Sequence, residues 1–215
     1  MLDFDADRQF DPVTEQFHFR PIVTVAGTRM AVRSDPLTGA YRLEPLTEIG
    51  TVAIDWPSDW PPVTDFSASL VSPDGVALVL DGAGRPQEAP AGNYFVQTLQ
   101  FVLIDKEHRR WQYIFTRSHN VEPKPSEACC VQAGQSAKCS PLKEMKFAIE
   151  QVEPTGAVAE GRLVVLQPKW TTSSGLQISS VTIYDGMKPP SQPRANVKLM
   201  NPAGNAVAIE SCGFY

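Results

Sequence analysis

The chain has 215 residues, 42% of them hydrophobic and 20% charged, with 19 prolines and a net charge of −5. This composition provides for a packed core and excludes intrinsic disorder. The acidic balance, with no basic cluster beyond residues 106–110, argues against nucleic-acid binding, and no apolar run approaches the ~18 residues of a membrane-spanning helix.

The first residues are acidic and lack an apolar stretch, so they do not read as a signal peptide. Three settings follow as expectations: a chain that stays inside the cell, a component of a particle assembled in the cytoplasm, or a chain that has lost a leader. Leu2, Phe4 and Ala6 alternate with Asp3, Asp5 and Asp7, and Phe17 and Phe19 alternate with His18 and Arg20 before Ile22, Val23 and Val25. Period-two alternation predicts strands. Gly27 turns the chain and residues 30–32 return it. Asp35-Pro36-Leu37-Thr38-Gly39 is a turn by its Pro and Gly, followed by strands over residues 41–46 and 51–54. The three prolines of Trp56-Pro57-Ser58-Asp59-Trp60-Pro61-Pro62 impose an extended path. Its two tryptophans either form a binding surface or fold back to cap the end of a sandwich. Residues 66–71 and 76–80 form a hairpin around Ser72-Pro73-Asp74-Gly75.

The longest patterned stretch is residues 92–116. Tyr94, Val96, Thr98, Gln100, Val102 and Ile104 share one face, and Phe95, Gln97, Leu99, Phe101 and Leu103 the other. A charged turn over residues 105–110 leads into Trp111, Tyr113 and Phe115, alternating with Gln112, Ile114 and Thr116. Apolar residues do not gather at helical spacing, so the stretch reads as a strand hairpin at the centre of the core.

Residues 116–141 are rich in Pro, Ser, Gly and Cys and read as a loop and a domain boundary. Beyond them, residues 145–150 suit a strand or a short helix, and residues 163–166, 176–184, 197–200 and 206–209 read as strands. A loop over 186–193 holds three prolines. Residues 68–80 and 195–210 share the order apolar strand, Ser/Asn-Pro-x-Gly turn, apolar strand, a faint internal echo. The expected fold is all-β: two antiparallel β-sandwich modules, residues 1–120 and 141–215, joined by a cysteine-containing linker over 121–140. The smaller second module is expected to leave sheet edges bare.

The turn-rich strands and the step Pro90-Ala91-Gly92-Asn93-Tyr94 into a long strand resemble bacterial immunoglobulin-like and carboxypeptidase-regulatory-like β-sandwich modules, mainly over residues 65–116. The resemblance implies a structural or adhesive role, and it carries over no catalytic residues.

Cys129, Cys130, Cys139 and Cys212 are an even set of disulfide candidates. Neighbours on an extended chain point opposite ways, so Cys129 and Cys130 are not expected to share a partner. One of them pairs with Cys139 and the other with Cys212, and the sequence does not choose between the connectivities. Four reduced thiols are the alternative. A zinc site is a third reading, though the C-C-x8-C spacing lacks a C-x2-C knuckle. Clustered cysteines in a loop-rich β protein favour an extracytoplasmic compartment, periplasm or cell surface, over cytoplasm or virion. Asp3, Asp5, Asp7 and Asp11 match four calcium-loop positions, but Arg8 and Thr14 replace the required Gly and Glu. His18, His108 and His119 are scattered, and there is no H-E-x-x-H, G-x-S-x-G or glycine-rich phosphate loop. The chain therefore reads as non-catalytic and without a cofactor: a structural or protein–protein interaction subunit of a larger bacterial or viral assembly, with Phe214 and Tyr215 as docking residues. The rival reading is a carbohydrate- or peptide-binding module of a secreted or cell-surface protein, using Trp56, Trp60 and Trp170.

Overall fold

A computed structural model describes residues 21–35, 38–81, 85–118, 122–152, 165–186 and 188–213. The strands are β1 (Ile22–Val25), β2 (Thr28–Ser34), β3 (Tyr41–Pro45), β4 (Ile49–Ile54), β5 (Asp65–Val71), β6 (Ala77–Asp81), β7 (Gln87–Pro90), β8 (Gly92–Ile104), β9 (Arg110–Arg117), β10 (Cys129–Val131), β11 (Ser136–Cys139), β12 (Lys146–Val152), β13 (Val165–Thr171), β14 (Leu176–Tyr184), β15 (Arg194–Met200) and β16 (Ala206–Gly213). Among the described residues the only helical element is one 3-10 turn at Pro125–Glu127. The fold is all-β, and residues 146–152 resolve as a strand, because alternating Phe147 and Ile149 suit a pleat and not a helical stripe.

Several antiparallel sheets form a sandwich-like arrangement. The main sheet has the order β12-β13-β14-β9-β8-β5-β6, with β10 pairing the start of β8. A second sheet, β11-β4-β7, combines one parallel and one antiparallel pairing. The core lies between these two: Val52, Ile54 and Ala89 from the small sheet meet Phe66, Ala68, Leu70, Leu78, Leu80, Leu99 and Phe101 from the large one. Two smaller sheets, β1-β2-β3 and β15-β16, complete the described architecture. The first is tied to the β5–β6 turn by Ser34 N–H donating to the Gly75 carbonyl at 2.8 Å and by the Arg33–Asp74 ion pair.

The chain crosses the boundary expected at residues 121–140. Strand β14 pairs with β9 from Leu176↔Arg117 to Tyr184↔Arg110, so the central hairpin and the later strands share one sheet. Residues 121–140 are not a linker between two modules: β10 pairs with β8, and β11 pairs with β4 in the opposite sheet. The Cys129–Cys139 disulfide, Cα atoms 5.4 Å apart, bridges these two strands and therefore the two sheets. A composition rich in Pro, Ser and Gly reads as loop because strands of three and four residues are too short to show alternation. Cys130 is a free, exposed thiol.

Tyr94 fixes the corner into β8. Its ring is buried and its hydroxyl donates to the Pro90 carbonyl at 2.8 Å; burial pushes its pKa well above the ordinary phenol value. A second buried tie is Arg117, which donates to Glu127 at 2.6 Å, to the Val96 carbonyl at 3.1 Å and to the Ser174 carbonyl at 2.5 Å. A buried guanidinium is tolerated only when its charge and its donors are met in this way.

Several expectations fall outside the described residues: the strands before residue 21, the acidic set Asp3, Asp5, Asp7 and Asp11, His18, His119, the side chain of Cys212, and Phe214 and Tyr215.

Candidate functional site

Register sets which side chains share a face of the main sheet. Phe101 stands opposite Tyr113, Leu103 opposite Trp111 and Leu99 opposite Phe115. The same rows continue into β14, where Tyr113 meets Val181, Phe115 meets Ile178 and Trp111 meets Ile183. Directly opposed residues of an antiparallel pair project from the same side, so one apolar surface runs across β8, β9 and β14. The small sheet covers the part of this surface around β5, β6 and β8. The surface is wider than its cover.

At the uncovered part lies an open groove of about 430 Å³. Its floor is Phe101, Tyr113, Phe115, Ile178 and Val181; Trp60 and Pro61 form one wall, and Met145 and Trp170 another. The groove opens where β13 diverges from β14, whose register holds at the single pair Thr171↔Gln177. Trp170 is steadied by Phe147, with ring centroids 5.1 Å apart. Along the floor the rings stack at strand spacing: Phe101 on Tyr113 at 5.2 Å and Trp111 on Tyr113 at 6.4 Å, both pairs 16° from parallel. Burial, then the nearby Asp105 charge, pushes the Tyr113 phenol up.

The charged turn after β8 organises this floor. Asp105 accepts hydrogen bonds from the Trp111 indole N–H at 2.8 Å, from Arg109 Nε at 2.7 Å and from the Arg109 backbone N–H at 2.9 Å. The Arg109 guanidinium lies 5.8 Å from the Trp111 ring centroid, over its face. Desolvation alone pushes the Asp105 carboxyl up. The three donors, led by Trp111, outweigh it and hold the pKa at about 2. His108 takes a positive φ of 62° in this turn and its backbone N–H donates to the Asp105 carbonyl at 3.1 Å, but it does not line the groove.

The proline-rich loop divides its two tryptophans. Trp56 packs edge-on against Phe66 at 5.4 Å and Phe101 at 5.2 Å, so it caps the core. Trp60 also touches Phe101, at 5.6 Å, but presents its remaining surface to the groove. A second, more polar hollow adjoins at Trp60 and Met145 and includes Asp55, Ser140, Lys143 and Glu144. The structure thus brings Trp60 and Trp170 to one groove and assigns Trp56 to the neighbouring hollow. The sequence reading placed Trp111 and Tyr113 in the core hairpin and not in a site. Their strand alternation was visible; which part of their face lacks a second layer was not.

Among the described residues no group of three or more His, Cys, Asp or Glu is placed to hold a metal ion. Comparison of the chain with protein-family models, with curated proteins and with solved structures found no match. Among the described residues no helix is long and apolar enough to cross a membrane.

Proposed function

We propose that this chain is a non-catalytic protein-interaction subunit of a larger assembly, and that its aromatic groove takes up an apolar segment of a neighbouring protein. The observation that supports this reading is the mismatch in width between the main sheet and its cover, which leaves Trp60, Trp111, Tyr113 and Trp170 around open space. Contiguous exposed apolar surface marks interaction sites, and Trp and Tyr are the side chains that dominate interface energetics. Each large apolar side chain moved from water into such a groove gains roughly 1.5–3 kcal/mol. The lining carries one ionisable group, the Tyr113 phenol, whose pKa burial raises; this supports contact surface over acid–base chemistry. A disulfide between the two sheets suits an extracytoplasmic setting, where such bonds persist.

The carbohydrate alternative draws on the same indole faces. Sugar hydroxyls need polar partners beside the stacking ring, whereas the lining is almost wholly carbon and the Trp111 N–H is already committed to Asp105. Peptide is therefore the favoured ligand class. Tryptophan emission during titration with short peptides bearing two large apolar side chains, and separately with soluble glycans, tests the choice. A saturable blue shift with peptides, abolished by W170A, is the expected result. Saturation with glycans and none with peptides would transfer the groove to the rival reading, and silence with both would reject it as a binding site.

A further inference from the structure

Strand β12 forms one border of the main sheet. It pairs with β13 along its whole length without a register shift, and among the described residues no strand lies on its other side. Sheets ordinarily blunt such borders with a bulge or a proline. Here Lys146-Phe147-Ala148-Ile149-Glu150 has neither; its charges, a further edge-blunting device, are one of each sign, and Phe147 and Ile149 remain 52% and 49% exposed.

We propose that this border is a homodimer interface, in which β12 pairs antiparallel with β12 of a second copy about a twofold axis at Ala148. The inference deepens the assembly reading by naming its first partner. The argument is self-complementarity. A twofold axis normal to the sheet places each residue opposite one of the same face, so only registers centred on a residue are allowed. Centred on Ala148, Lys146 faces Glu150 of the second copy and Phe147 faces Ile149, each twice. An axis at Phe147 sets Glu150 against Glu144; an axis at Ile149 sets Lys146 against Val152. Ala148 alone makes every charge in the five-residue segment meet its opposite and every large apolar side chain meet another, the pairings that stabilise antiparallel ladders. The same axis keeps both apolar faces on one side. The rows holding Phe147 and Trp170 in each copy then join, and the two grooves open in the same direction.

Sedimentation velocity of the full chain over a concentration series tests the proposal. The expected result is a reversible monomer–dimer equilibrium; a monomer at every concentration up to about 100 μM overturns it. A charge swap then tests the register. Lys169 reaches Glu150 within its own copy at 3.2 Å, so the swap is made in a K169Q background. K146E alone places like charges opposite each other twice and is expected to weaken the dimer about tenfold, and K146E/E150K to restore it to within about twofold of K169Q. A dimer indifferent to K146E, or one that the double swap fails to restore, places the interface elsewhere and overturns the proposal. Peptide titration of the parent chain separates this outcome from the groove: peptide binding retained in a parent chain that stays monomeric at every concentration sinks the interface alone.

Discussion

In the β5–β6 hairpin the Ser72 N–H donates to the Val76 carbonyl at 2.9 Å, the Gly75 N–H returns to the Ser72 carbonyl at 3.0 Å, and the Ser72 hydroxyl accepts from the Val76 N–H at 2.9 Å. In β15–β16, Asn201 makes the corresponding bonds to Asn205 and Gly204, each 2.9 Å, with its side-chain oxygen in place of the hydroxyl. Thr172, Gly175 and Leu176 repeat the pattern between β13 and β14. The described apolar side chains on the flanking strands differ. Phe66, Ala68, Leu70, Leu78 and Leu80 are buried, whereas Met200, Val207 and Ile209 are 51%, 59% and 55% exposed. Hydrogen bonding local to five residues makes the hairpin, and the second layer decides whether its apolar side chains leave water. An isolated two-stranded ribbon is marginal, so β15–β16 depends on contacts that β5–β6 already has.

The sharpest way to break the comparison is truncation of matched apolar residues. L70A removes a fully buried side chain from β5 and is expected to cost about 3–4 kcal/mol in urea unfolding, while I209A on β16 changes stability by less than about 0.5 kcal/mol. Equal effects would mean that β15–β16 is covered in the folded protein in solution. The two turn glycines come next. Both have positive φ, 87° at Gly75 and 82° at Gly204, but a Cβ at Gly75 collides with the Ser34 carbonyl whereas one at Gly204 meets nothing within 4 Å. G75A should cost about 3 kcal/mol and G204A about 1 kcal/mol; a difference near zero would deny the docking of β1-β2-β3 on the β5–β6 turn. The smallest effect belongs to a third hairpin, β8–β9, whose turn is held by charge. The Asp105 carboxyl titrates at about 2 when folded against an ordinary 3.8, so its stabilisation is complete above about pH 4 and is lost as pH falls through 2. D105N should flatten the acid limb of the stability profile relative to the parent and shift Trp111 emission. An unchanged acid limb would show that the carboxylate does not clamp the indole.

Much of the fold was legible along the chain. The 13-residue β8 and the alternation in β9, β12 and β14 carried enough period-two signal to define strands. The hairpin at Ser72-Pro73-Asp74-Gly75 was written in its turn residues. The partition into two modules was not legible correctly. Strand pairing is non-local, and nothing within residues 176–184 states that their partner is β9, some seventy residues earlier by the register Tyr184↔Arg110. Of the site, Trp60 and Trp170 were singled out because exposed-looking indoles on loops and late strands invite a ligand. Trp111 and Tyr113 were read as core, since a strand sequence does not record how wide the opposing sheet is.

The order of residues by itself determined the strand class and the turns, because backbone preference and side-chain alternation act over a few neighbours. Tertiary structure alone decided that β14 docks on β9, that Cys129 and Cys139 staple one sheet to the other, and that the aromatic face of β9 is left open. Those outcomes depend on which distant strands compete for the same edge and the same apolar surface, a competition settled by the burial of the whole chain and by no single segment.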